Sequence, residues 1–325
     1  MLVTGGAGYV GSHAVAALVS QGHEVVVYDD LSRGHATAVP AELLVRGALA
    51  DERGLTTLLR DRRIEAVLHF AAYALVNESV ADPSLYYRNN FAGTLSLLEA
   101  MRSAGVRRIV FSSSCATYGE PPISPIREDA PQRPVNPYGL TKLASEHALA
   151  AYARAYGFGY AALRYFNACG ASPDGRLGED HDPESHIIPL ALAAALGRLP
   201  RFTIFGSDYP TPDGTCIRDY IHVDDLADAH LRALERLGEG SGLCLNLGTG
   251  RGFSVREVVE SCRRASGRDI PVEEGPRRAG DPPELVADSA RARQLLGWTA
   301  RYEDLDAIVE TAWRWHSRHP RGFAD

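Results

Sequence analysis

In the segment NPYGLTKLASEH, residues 136 to 147, a tyrosine and a lysine stand four positions apart, Tyr138 and Lys142. On a helix that spacing puts phenol and ammonium on one face. Asn136 suits the cap of such a helix and Pro137 its first position, where an N–H has no intrahelical acceptor anyway. A phenol that takes up a proton at neutral pH must have its pKa lowered by roughly 3 units, worth about 4 kcal/mol. One ammonium roughly 5 Å away, at an effective dielectric near 20, supplies about 3 kcal/mol. The helix N-terminus and a further cation beside the ring would supply the remainder. Without such a cation the same pair is also what an ordinary surface helix carries.

Two other stretches bear on that choice. RIVFSSSCATYG reads as a strand ending in Ser112, Ser113 and Ser114. A serine hydroxyl at a strand end facing a crevice can hydrogen-bond a reacting alcohol and share its proton with Tyr138. LVTGGAGYVGSH follows a short strand and opens a helix, with Gly5, Gly8 and Gly11 at three-residue spacing. Glycine lets a backbone turn tightly and approach a pyrophosphate, and the helix behind it offers free N–H groups and a positive dipole end. The second strand ends in Asp29-Asp30, where a carboxylate accepts from a ribose 2′-OH and repels a 2′-phosphate, so the expected cofactor is NAD. Its oxidised nicotinamide is the cation the phenol needs.

These residues require a frame. The runs EVVVYDD, LLVRG, AVLHFAA, RIVFSSS, YAALRYF and LCLNLG lack polar alternation, as strands covered on both faces do. Between them lie helical patterns, such as GSHAVAALVSQG with Val10, Ala14, Ala17 and Leu18 on one face. Alternation of strand and helix predicts an α/β fold, a Rossmann-type doubly wound parallel sheet. From about Ala168 glycine, proline and aspartate become frequent, as in ACGASPDGRLGEDHDPE and GSDYPTPDGT, marking loops that fold over a ligand. LCLNLG should return to the main sheet, so a smaller, discontinuous α/β substrate lobe is expected. The division predicted is 1–167 with 216–249 for the NAD-binding domain, and 168–215 with 250–325 for the lobe. The segment LDAIVETAWRWHSRHP should pack on the lobe as an amphipathic helix.

Composition narrows the partners. A net charge of −7 over 325 residues disfavours a polyanion surface, so no nucleic acid is expected. No apolar run approaches the ~20 residues of a membrane span, and no membrane association is expected. Five cysteines, Cys115, Cys169, Cys216, Cys244 and Cys262, are scattered without metal-ligand spacing. They suggest reduced thiols in a cytoplasmic protein, with no metal.

The motifs TGGAGYVGSH, FSSSCATYG, NPYGLTK, LRYFNACGASPDG, IFGSDYPTPDGTCIRDYIHVDDLADAH and PRRAGDPP together resemble the extended short-chain dehydrogenase/reductases, and within them the UDP-glucose 4-epimerases, along nearly the whole chain. That resemblance implies a catalytic set of Ser114, Tyr138 and Lys142 acting on a UDP-hexose, interconverting UDP-glucose and UDP-galactose through a 4-keto sugar. For NAD it implies Gly5, Gly8, Tyr9, Val10, Gly11, Asp29, Asp30, Leu31, Ser32, Phe70, Ala71, Ala72, Asn89, Tyr138, Lys142 and Tyr165. For the nucleotide sugar it implies Ser114, Asn167, His186, Phe205, Arg218, Arg278, Asp281 and Leu285, with Arg218 and Arg278 on the diphosphate, where a guanidinium binds in bidentate fashion. A homodimer is implied as well.

Rival roles stay open for several residues. Arg218 could pair with Asp219, Phe205 could sit in a core, Asn167 could form a turn, His186 could cap a helix and Tyr165 could serve packing. The sequence also departs from the pattern. Ala48 and Ala74 stand where relatives often place Asp and Lys near the cofactor, and His186 replaces a frequent Asn. An imidazole there would change charge near neutral pH. Leu285 is intermediate at a position associated with sugar size, leaving N-acetylhexosamine and pentose nucleotides open. Cys115 and Ala116 occupy the places where sugar dehydratases carry Asp-Glu, so elimination lacks its acid and base. A net NAD-linked oxidoreductase shares the glycine loop and the Tyr–Lys pair.

Overall fold

The computed structural model describes residues 1–278 and 280–324. In its first half the strands are β1 (Leu2–Thr4), β2 (Val26–Asp29), β3 (Leu44–Arg46), β4 (Ala66–His69), β5 (Arg108–Ser114) and β6 (Gly159–Tyr165). They continue as β7 (Asn167–Cys169), β8 (Phe202–Phe205), β9 (Ile217–His222), β10 (Gly242–Leu247), β11 (Gly252–Ser254), β12 (Val272–Gly275) and β13 (Glu284–Leu285). Seven of these make a sheet in the order β10-β6-β5-β4-β1-β2-β3, and every pair in it is parallel. All six runs expected as strands lie in it.

The lack of alternation in those runs has its reason in two helical layers. On one face Val3, Val27, Leu68, Val110 and Leu163 pack with Ala14 and Leu18 of helix Tyr9–Ser20 and with Leu226 and Leu234 of helix Val223–Glu235. On the other, Leu2, Val67, Ile109, Phe111 and Ala162 pack with Leu55, Leu97, Met101 and Leu149. Each fully buried aliphatic side chain contributes about 1.5–3 kcal/mol. Strand order reverses at β1, with β2 on one side and β4 on the other, and the crevice beyond the carboxyl ends of such a reversal is where ligands bind.

The lobe is built on shorter pieces. β9 pairs with β7, β11 and β13, and β8 with β12. Helix Leu305–Arg318 lays Leu305, Ile308, Val309 and Ala312 into the lobe's core, as its amphipathic pattern indicates. Of the segment 216–249 expected in the main domain, β9 pairs in the smaller sheet, whereas the following helix and β10 pack on the main one.

Candidate active site

The crevice at the reversal has a volume of about 460 Å³. Its floor is the glycine loop. Gly5 has φ +69°, and a Cβ there would fall 2.3 Å from the backbone nitrogen of Ala71. One on Gly11 would fall 2.1 Å from the carbonyl of Gly5. Side chains are therefore sterically barred from the cradle. Asp29 accepts from the Ala7 N–H at 3.0 Å and the Leu31 N–H at 2.9 Å, fastening the loop to β2. Burial pushes its pKa up, and the two backbone donors oppose that. Asp30 stands at the rim and accepts from Ser32 N–H at 2.8 Å. Gly8, Tyr9, Val10, Ser32, Phe70, Ala71, Ala72, Asn89 and Tyr165 also line the crevice. Leu31 packs partly buried against the core under the loop. Asn89 belongs to a π-helical turn, Tyr87–Ala92, an irregularity frequent at functional sites. Tyr165 has a packing role too, its hydroxyl 3.3 Å from His230 in the core.

Ser114 ends β5 at the crevice wall, its Oγ accepting from Ala116 N–H at 3.1 Å. Asn136 Oδ1 accepts from Gly139 N–H at 2.8 Å and Pro137 opens the helix Pro137–Tyr156. A Cβ on Gly139 would lie 2.5 Å from the Ala116 carbonyl, so only glycine lets this helix approach the strand end so closely. Tyr138 thereby comes within hydrogen-bond reach of Ser114, and Tyr138, Lys142 and Ser114 line the same crevice. Lys142 is 3% exposed and donates from Nζ to the Ser112 carbonyl at 2.7 Å.

The electrostatics differ from the sequence arithmetic. Burial pushes the Tyr138 phenol up to about 12, against the pull of a hydrogen bond with Ser114. Burial also draws the Lys142 ammonium down to about 7, against the opposing pull of Glu146. The lysine is itself desolvated and occupied by a carbonyl, so it does not outweigh the desolvation of the phenol. A Tyr138 pKa near neutrality would therefore require an additional cation beside the ring, far more than a pairwise Coulomb estimate suggests.

Beneath these side chains runs a network that sequence reasoning missed. Arg164 of β6 donates to Glu146 at 2.9 and 2.6 Å, and Ser113 donates to the same carboxylate at 2.5 Å. Arg164 also donates to the Tyr118 hydroxyl at 2.7 Å, which donates to Asn246 at 2.7 Å. Arg164 and Glu146 are each 4% exposed. The signal was available, because an arginine in the middle of the apolar run YAALRYF must find a buried partner.

Toward the lobe, Asn167, Arg218, Asp281, Leu285 and His186 line the same crevice. Arg218 donates to Asp281 at 2.7 Å, and Leu285 of β13 lies opposite it in register. Asp219 is instead fully buried and accepts from the backbone N–H groups of Thr249, Gly250 and Ala287. Phe205 and Arg278 meet each other, with the guanidinium carbon 4.1 Å from the ring centroid, outside the residues that line the crevice. Phe205 is 36% exposed rather than in a core.

His186 precedes helix Ile187–Ala195 without a side-chain cap bond. Its Nδ1 lies 2.9 Å from both Glu179 and Glu184. Burial lowers its pKa, but the two carboxylates outweigh burial and push it up to about 10. The charge change expected near neutrality is thus displaced to alkaline pH. Glu179, His181, Glu184 and His186 form a cluster the sequence reading did not single out.

Comparison with known proteins gives the chain's family. The model of the NAD dependent epimerase/dehydratase family matches residues 1–248. A UDP-glucose 4-epimerase of Halalkalibacterium halodurans is 52% identical over 325 residues, covering 100% of this chain and 97% of that protein. A UDP-glucose 4-epimerase from Brucella ovis, solved in complex with NAD, superposes with a TM-score of 0.94 at 55% identity over 97% of each chain. One from Bifidobacterium longum, solved with NAD+ and UDP, gives 0.94 at 37% identity over 99% of each. The chain belongs to the NAD dependent epimerase/dehydratase family.

Proposed function

We propose that the chain interconverts UDP-glucose and UDP-galactose by NAD-dependent inversion at C4 of the sugar. The observation that carries this reading is Tyr138 within hydrogen-bond reach of Ser114, in one crevice with a glycine cradle that Asp29 and Asp30 line. The cradle fits a dinucleotide, since a Cβ at Gly5 or Gly11 would collide with backbone and the N-terminus of helix Tyr9–Ser20 suits a pyrophosphate. Bound NAD supplies a reversible hydride acceptor and, when oxidised, a positive ring.

Tyr138 accepts the proton of the 4-OH and returns it once the 4-keto sugar has turned over its other face to the cofactor. Ser114 donates to the same sugar oxygen and holds it within reach of the phenol. Lys142 fixes the helix to the Ser112 carbonyl. Arg218, with Asn167 and His186, holds the diphosphate, while the uracil and its ribose lie toward Phe205 and Asp281. Cys115 and Ala116 follow Ser114, and burial pushes the Cys115 thiol up to about 12, so neither residue offers the acid or base that elimination requires.

A two-fold dimer fits the exposed apolar side chains Val80, Tyr87 and Leu140 on adjoining helices, 63%, 40% and 41% exposed. All five cysteines are free thiols, in keeping with a reducing cytoplasm, and among the described residues no helix is long and apolar enough to cross a membrane. The test is to incubate the purified protein with UDP-galactose, with and without added NAD, and follow UDP-glucose and NADH absorbance. Equilibration of the two sugars without net NADH supports the reading, and no interconversion with excess NAD sinks it. Dependence on added NAD would mean that Ala48 and Ala74 loosen the cofactor.

A further inference from the structure

Between the end of β7 and helix Ile187–Ala195 the chain curls so that four side chains converge: Glu179, His181, Glu184 and His186, whose nearest nitrogen and oxygen atoms all lie within 4.8 Å of one another. His186 Nδ1 is 2.9 Å from Glu179 Oε1 and 2.9 Å from Glu184 Oε1. His181 Nδ1 is 3.4 Å from Glu179 Oε1 and 3.5 Å from Glu184 Oε2. Ligands at the usual zinc–nitrogen and zinc–oxygen distances of about 2.0–2.2 Å form a tetrahedron with edges of roughly 3.3–3.5 Å. The two separations of His181 match that edge length, and the two of His186, at 2.9 Å, need open by only about half an ångström to reach it.

A second feature separates this cluster from a set of ordinary ion pairs. Glu179 is 4% exposed, and its Oε1 is buried without a hydrogen-bond partner, as is Nδ1 of His181. These two atoms are close to each other and to His186, yet they are not aligned for a hydrogen bond. Buried ligand atoms crowded this closely without a hydrogen bond between them fit a shared cation, and a buried carboxylate oxygen whose neighbouring imidazoles are not aligned to donate to it is otherwise costly.

We propose that Glu179, His181, Glu184 and His186 form a four-ligand site for a divalent transition cation of the zinc type. Two imidazoles and two carboxylates suit zinc and its neighbours rather than the oxygen-only shells of calcium or magnesium. The ligands span eight residues of a loop that is fastened elsewhere to the cofactor side of the crevice. Arg33 donates to the Asp182 carbonyl at 2.7 Å, and Phe323 N–H donates to Asp180 at 2.8 Å. Glu179, His181 and His186 line the crevice together with Tyr9, whose ring meets that of His181 edge-on at 6.0 Å. A bound cation locks this loop against the NAD-side wall. Coordination through Nδ1 of His186 also leaves the ring proton on Nε2 as a donor. The inference stands on this geometry whether or not the sugar substrate assigned above is correct.

The test is to titrate tag-free holoprotein, freed of adventitious metal by dialysis against a chelator, with Co²⁺ and to record visible absorption. The expected result is one equivalent of Co²⁺ with the strong d–d bands of tetrahedral coordination, displaced by one equivalent of Zn²⁺. Variants His181→Ala and Glu184→Gln are expected to lose more affinity than the ~10- to 100-fold that removal of an outer-shell partner costs. His181→Cys is expected to keep the cation and add a thiolate-to-cobalt charge-transfer band, a readout that does not depend on activity and distinguishes ligand loss from misfolding. Absence of tetrahedral bands and of stoichiometric Zn²⁺ uptake in the wild-type protein would overturn the proposal. So would uptake unchanged in all three variants.

Discussion

At one end of the crevice, Tyr138 and Lys142 ride on a helix whose underside is bonded through Glu146 to Arg164 and Ser113, all at least nine-tenths buried. At the other, Arg218 leans on Asp281, whose side chain is 34% exposed, and Arg278 covers a Phe205 ring that is itself open to solvent. In a low-dielectric interior, satisfied polar networks fix geometry. Exposed or half-exposed ion pairs are worth little and exchange partners readily. On the proposed reading, the contrast lets one crevice hold Tyr138 and Ser114 rigidly while a charged ligand displaces the half-exposed Asp281 from the guanidinium of Arg218. Perturbation at the first end should appear in turnover, and perturbation at the second in binding.

The largest expected effect is that of Tyr138→Phe, which keeps the ring and removes the hydroxyl proposed to accept the proton. Turnover should fall by about 10²- to 10⁴-fold with KM nearly unchanged, as steady-state kinetics would report. A comparable rise in KM with turnover intact would break the contrast.

Glu146→Gln follows, because it leaves Arg164 charged and buried. Chemical denaturation should show a loss of about 3–5 kcal/mol, with much of it recovered when both partners become methionine. Recovery of stability without recovery of turnover would sharpen the account by separating the network's role in folding from its placement of Tyr138.

Arg218→Met should weaken UDP binding by about 10- to 100-fold, the worth of a hydrogen bond to a charged group. Turnover should hardly move. Calorimetry with UDP measures this directly, and an equal loss in kcat would place Arg218 at the chemical end instead.

The effect that arrives in the smallest steps, one pH unit at a time, concerns Lys142. Lys142 has its folded pKa depressed to about 7 from the usual 10.5, so burying its charge costs stability in full below that value. The cost is relieved as pH rises from 7 toward 10.5. The stability of the wild type relative to Lys142→Met should therefore climb across that window, by at most about 1.4 kcal/mol per pH unit. A flat difference would mean that the amine stays charged through its bond to Ser112.

What the sequence disclosed was local. The six apolar runs, the glycine loop, and the Asn136-Pro137 helix start follow from patterns a few residues long, and the structure places each of them as read. Of the lobe, the loops and the amphipathic helix Leu305–Arg318 were legible, whereas strands such as Asn167–Cys169, Gly252–Ser254 and Glu284–Leu285 are too short to carry a period. Phe205 and Arg278 had types suited to a nucleotide but no sequence feature that sets their distance from the crevice. The pKa of Tyr138 escaped the pairwise estimate because burial, set by the whole fold, outweighs the neighbouring lysine. Glu179 and His186 lie seven positions apart, and only the curl of the loop brings them to 2.9 Å.

The central claim is that the group removed from C4 returns to the same carbon. It is tested by incubating the holoprotein with UDP-galactose deuterated at C4 and analysing the product by mass spectrometry and NMR. The account predicts UDP-glucose that retains deuterium at C4, with no accumulation of NADH. Loss of the label to solvent, or NADH formed in step with an oxidised sugar, would contradict it.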